Sequence, residues 1–219
     1  MKFKLSIPSE LSEIKLKDYQ KYIKIVQENE DAHEFLNIKA VEIFCNIKIN
    51  DINAIKVSDF NDILLTLNNT LQQKTKLLQR FKMNGVEFGF IPKLDDISMG
   101  EFVDLQNYLG DNNSLNKAMA VMYRPITFDK NGMYLIEDYE GSEKYADAMR
   151  DAPLNVVLGA NVFFYNLGKE LLKGTMNYLA EEGQKNTQVK QVLEESGDGI
   201  SQFMQLLEDD FPTLKQSLN

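Results

Sequence analysis

Two Asn-Gly pairs, Asn84-Gly85 and Asn131-Gly132, constrain this chain more than any other feature. Phe81 and Met83 alternate with polar residues up to the first pair, and Val86, Phe88 and Phe90 alternate after it. A two-residue hairpin turn needs positive φ at both central positions, which Asn tolerates and Gly adopts freely. The second pair lies between Ile126 to Phe128 and Met133 to Ile136, a weaker version of the same signal. The fold must therefore accommodate two hairpins.

Elsewhere the apolar residues recur at the helical period. Leu16, Tyr19, Ile23 and Val26 mark a first helix of about 12 residues. Phe35, Leu36, Val41, Ile43 and Phe44 mark a second, and Phe60, Ile63, Leu64, Leu67 and Leu71 a third with Ser58 as its N-cap. These three predict an N-terminal bundle. Pro92 ends the second strand of the first hairpin. Ser98 and Glu101 match a capping box, and Gly110 caps the far end of that helix. A helix starting at Ser114 carries Leu115, Ala118, Met119 and Met122. It must stop near Arg124, because Pro125 disfavours helical geometry in the residue before it. Ser142 caps a short helix through Tyr145 and Met149. Asp151 and Pro153 then open the longest helix, about 30 residues, with Leu154, Val157, Leu158, Asn161 and Phe164 on its core face. Gly159, Gly168 and Gly174 permit close approach or a kink there.

The expected fold class is mainly α with small β-hairpins (α+β): a helical bundle with a long C-terminal-half helix, two hairpins and an amphipathic C-terminal arm. Residues 1–183 read as a single mainly helical domain. Residues 184–219 read as an acidic amphipathic arm, with eight acidic residues against three lysines from Ala180 onward. Ile200, Phe203, Met204 and Leu207 form a stripe on it.

Groups that carry chemistry are scarce. His33 and Cys45 are the chain's one histidine and one cysteine. A zinc site takes about three or four such ligands, so His33 reads as a helix-surface residue and Cys45 as a small buried hydrophobe. Asp95-Asp96 could pair as carboxylates or hold a cation. Their place just before Ser98 favours a structural role at the positive end of a helix. Asp129-Lys130-Asn131-Gly132 lacks the later ligands of a calcium loop and reads as a turn. No phosphate-binding loop, dinucleotide-binding turn or nucleophile elbow occurs. A net charge of −9, with Arg80, Arg124 and Arg150 as the only arginines, argues against direct nucleic-acid binding. The six lysines in the first 25 residues read as a solvated basic edge. No run of about 18 apolar residues suggests a membrane span, and the start lacks a signal-peptide core. The expectation is a protein without cofactor or metal, non-enzymatic, made and folded in a cytoplasm.

Adhesive surface is the remaining source of function. Phe163, Phe164 and Tyr165 cover most of a helix circumference, as in a central core helix, part of which could meet another subunit. The stripe at Ile200, Phe203, Met204 and Leu207 could dock on its own core or on a neighbour. Arg124, between Tyr123 and Pro125, suits a helix end, where a cation favours the carbonyl terminus. The alternative is an intersubunit salt bridge. As a cap alone, its truncation would cost about 1–2 kcal/mol.

Three segments carry a family resemblance: IPSELSEIKLKDYQKYIKI near the start, RFKMNGVEFGFIPKLDDISMGEF in the middle, and Ala118 to Asn177. The last holds Tyr123-Arg124-Pro125, Tyr139-Glu140-Gly141 and Phe163-Phe164-Tyr165-Asn166 in order. Together they resemble a family of small proteins encoded in structural-gene clusters of tailed phages of Bacteroidetes, including crAss-like phages. The resemblance spans roughly residues 3–182 and implies a virion or morphogenetic protein. It would sit in the neck (the head-tail connector), the tail or the internal cargo, as a homo-oligomer or ring component contacting other phage structural proteins. A tail assembly chaperone, absent from the mature particle, is the alternative. The implied locations are the virion and, during assembly, the host cytoplasm.

Overall fold

A computed structural model describes the backbone of residues 5–185 and the side chains of residues 5–170. It divides into two compact units, Met1–Ala160 and Asn161–Asn219. The first unit ends earlier than the composition break at residue 183, inside a helix rather than after one.

The first unit opens with α1 (Leu16–Glu28), α2 (His33–Phe44), a single turn α3 (Ile49–Ile52) and α4 (Val57–Leu71). Leu16, Tyr19, Tyr22, Ile23 and Val26 form the buried stripe of α1, which packs on α2. Helix α2 in turn packs on α4. Tyr22 and Phe44 meet with ring centres 5.1 Å apart. This is the expected bundle. Its third helix starts earlier than expected: Lys56 is the N-cap residue and Ser58 lies inside the helix, where its hydroxyl bonds Asp59. The basic edge is partly spent as well. Lys15 and Lys17 both pair with Asp151, at 3.1 and 2.9 Å. Beside them Leu16 N–H donates to the Ala152 carbonyl and Leu154 N–H to that of Ile14, fastening the start of α1 to the start of the helix that begins at Leu154.

Strands β1 (Arg80–Met83), β2 (Val86–Phe90), β3 (Tyr123–Lys130) and β4 (Met133–Ile136) form one antiparallel sheet in the order β1-β2-β3-β4. Both turns are as the Asn-Gly pairs require, with φ of 50° and 80° at Asn84 and Gly85, and 53° and 80° at Asn131 and Gly132. The two hairpins are not separate. Phe88, Gly89 and Phe90 pair with Pro125, Arg124 and Tyr123, joining them edge to edge.

Helix α5 (Met99–Tyr108) carries the complete Ser98–Glu101 capping box. Leu109, still in helical geometry, closes it, and Gly110 does not adopt the left-handed conformation expected of a cap. Helix α6 (Leu115–Met122) is buried at Leu115, Asn116 and every residue from Ala118 to Met122. It is this helix, buried at seven of its eight residues, that occupies the centre of the unit. It passes straight into β3: Tyr123 is already extended, one residue ahead of Arg124, whose helical geometry Pro125 disfavours. Helix α7 (Glu143–Met149) packs on α6, where Asn116 donates to the Ala146 carbonyl. Ser142 precedes α7 without a side-chain cap bond. Helix α8 (Leu154–Lys185) buries Leu154, Val156, Val157, Leu158 and Ala160. Gly159 allows the approach expected of it: a Cβ there would lie 2.3 Å from the Lys76 carbonyl oxygen. Among the described residues no helix is long and apolar enough to cross a membrane.

Candidate functional site

Alternation along β3 sends neighbouring residues to opposite faces of the sheet. Tyr123 enters the core, fully buried, with its ring edge-on to Phe81 and tilted against Phe90 at 5.3 Å each. Its hydroxyl donates to the Leu78 carbonyl at 2.6 Å. Arg124 turns to the other face and is 7% exposed. Both side chains are buried and hold the fold.

Arg124 closes the end of α6 as expected, its Nη1 donating to the Val121 carbonyl at 3.1 Å. It does more. Nη1 lies 2.7 Å from Glu101 Oε1, Nε donates to the Glu137 carbonyl at 2.7 Å, and the guanidinium rests 5.4 Å from the Tyr139 ring centre. The ion pair is thus within the chain, and its partner is the capping-box glutamate of α5. Burial pushes the Glu101 carboxyl up, but the Ser98 N–H and hydroxyl and the Arg124 guanidinium outweigh it and hold the group below its ordinary range. Tyr139 donates to Asp104, and burial followed by that acceptor keeps the phenol protonated.

This pair floors a cleft of ≈ 770 Å³. Residues Gly132 to Tyr139 line one side without a gap, and Pro92, Lys93, Asp96, Ile97 and Ser98 line the other. Tyr134 lies across the sheet over Gly89, whose missing Cβ leaves room for its ring, and its hydroxyl donates to the Phe90 carbonyl at 2.8 Å. A shift in register between Ile126 and Phe128 places Phe128 opposite Leu135. Phe128, Met133 and Leu135 are therefore exposed together, at 51%, 73% and 59%. At the hairpin tip Asp129 takes both Nη atoms of Arg80, which also lies 4.4 Å over the Tyr134 ring.

Each polar group on the cleft floor is committed to another, so the floor sets positions. A carboxylate held ionised and an arginine already donating from two nitrogens are ill suited to proton transfer. The remaining candidates do not converge here. His33 is exposed at the first turn of α2, and Cys45 is buried at its end, burial pushing the thiol up to about 11. Asp95 and Asp96 are exposed in a single 3-10 turn before Ser98, with Lys93 3.4 Å from Asp96. Among the described residues no three His, Cys, Asp or Glu side chains group as a metal ion would need. Phe163 and Tyr165 belong to the second unit and are half-buried. Phe163 packs edge-on to Phe164, and Lys169 stands 4.9 Å over Tyr165. Ile200, Phe203, Met204 and Leu207 lie outside the described residues.

The Glu101–Arg124 pair escaped sequence reasoning, although Glu101 was legible as a cap and Arg124 as a helix-end cation. Comparison with protein-family models, curated proteins and solved structures returns no match.

Proposed function

We propose that this chain is a non-enzymatic structural protein of a tailed-phage particle, placed in the neck, tail or internal cargo and acting through protein–protein contacts. The observation that carries the reading is the exposed apolar group Phe128, Met133 and Leu135 on the β3–β4 hairpin beside an open cleft. Contiguous apolar surface rimmed by polar residues marks contact sites on folded domains. The committed polar groups of the cleft floor favour a scaffold over a reaction centre, and the resemblance of three segments to phage structural-cluster proteins supplies the setting.

Mass spectrometry of purified particles tests the proposal. The chain should be present at a fixed ratio to the other structural proteins. Consistent absence from particles, with co-purification alongside a tail component during assembly, would instead identify a tail assembly chaperone.

A further inference from the structure

We infer that the open side of β4 is a docking edge for an extended polypeptide segment carrying basic side chains, which joins the sheet as a fifth strand. This rests on reading the β3–β4 hairpin as a protein-contact surface.

The sheet order leaves one side of β4 without a strand partner among the described residues. Register identifies which backbone groups face that side. Lys130 and Met133 pair directly across the two-residue turn, so Met133 directs its N–H and carbonyl toward β3. Glu137 directs its N–H toward β3 as well, donating to the Pro125 carbonyl, while its carbonyl accepts from the Arg124 side-chain Nε. The alternating residues Tyr134 and Ile136 then direct theirs outward. Only another extended backbone can match that spacing of donors and acceptors.

The two edges of the sheet differ in chemistry. Strand β1, at the far edge, carries Arg80 and Lys82, the kind of charge that discourages strand addition. Strand β4 reads Met-Tyr-Leu-Ile, with no charge and no proline, although its Met133 and Leu135 side chains are largely exposed. The cleft follows this unguarded edge along Gly132 to Tyr139. Its lining sets Asp96, Glu101, Glu137 and Asp138 against Lys93 and Arg124, with Lys144 paired to Glu137 at 3.2 Å, so the negative excess is a single carboxylate, Asp138. A cationic segment complements it. A second copy of this chain, at net −9, is repelled as a whole.

The test uses the full-length protein and two capped hexapeptides, one alternating valine with lysine and one alternating valine with glutamate. Calorimetry should detect the lysine peptide, with the glutamate peptide about tenfold weaker or silent. Amide exchange by NMR should show the Tyr134 and Ile136 N–H groups gaining about tenfold protection on binding, with Met133 and Leu135 unchanged. Ile136→Pro deletes one outward N–H at a position where an edge strand tolerates proline, and should abolish binding. Should that variant not fold, a lysine peptide N-methylated at alternate amides must fail to bind. Equal affinity for the two peptides, no binding of the lysine peptide, or protection confined to other amides overturns the inference. So does light scattering of a dimer in which Tyr134 and Ile136 are already protected. Absence from virions would remove the phage role and leave these results standing. Failure of the peptide would remove the docking edge without touching virion content.

Discussion

Replacing Arg124 by alanine separates the structure's account of this residue from a simple helix cap. The side chain holds the Val121 carbonyl at the end of α6, the Glu137 carbonyl after β4, and the Glu101 carboxylate at the start of α5. Truncation removes all three and leaves Glu101, whose side chain is 7% exposed, without its cation. Removing one partner of a buried ion pair costs about 3–5 kcal/mol, well above the ~1 kcal/mol of a typical cap. At about 2–4 °C per kcal/mol for a domain of this size, Tm should fall by about 6–20 °C. Urea denaturation at pH 7 measures the loss, and a double-mutant cycle with Glu101→Gln isolates the coupling. The pH dependence has a definite sign. Glu101 is lowered from an ordinary value of 4.5, so the pair's contribution is complete above that pH and is lost as pH falls through the folded pKa. Arg124→Ala should therefore cost less at pH 3 than at pH 7. A loss below about 2 kcal/mol at pH 7, or one independent of pH, would refute the argument and return Arg124 to an ordinary cap.

Three further outcomes follow from the packing. Gly159→Ala places a methyl 2.3 Å from the Lys76 carbonyl oxygen, a backbone atom that cannot swing aside, and should destabilise by about 1–3 kcal/mol in chemical denaturation. Gly132→Ala meets no atom within 4 Å but must hold φ near 80°, so its cost of about 1–2 kcal/mol should come from backbone strain alone and spare the far hairpin in NMR spectra. Cys45, with its thiol pushed up to about 11 by burial, should resist thiol reagents at pH 8 in the native protein and react at the rate of a free cysteine in denaturant. Because the unfolded thiol ionises first, this group also erodes stability as pH rises above about 8.5.

Local chemistry made much of the fold legible. The Asn-Gly turns, the Ser98–Glu101 box, the stop enforced by Pro125 and the stripes of α1, α2 and α4 each depend on residues within a few positions of one another. Where a local signal was ambiguous, the reading slipped. Ser58 resembled a cap and sits inside α4, and Gly110 resembled a C-cap that α5 does not use. Phe163 to Tyr165, which suit a core helix with part of it open to another subunit, are half-buried in the second unit, and in the first unit it is α6 that fills the centre.

What the sequence by itself determined is the inventory of elements and the poverty of reactive groups, because period, turn stereochemistry and residue type are properties of short stretches. Only the tertiary structure decided that two hairpins share one sheet, that a capping glutamate neutralises a helix-end arginine, and that β4 lies at an open edge beside a cleft. Each of those brings together residues more than 20 positions apart, as in Gly89 with Arg124 or Glu101 with Arg124. Such meetings are set by which buried surfaces fit, and no local pattern encodes that fit.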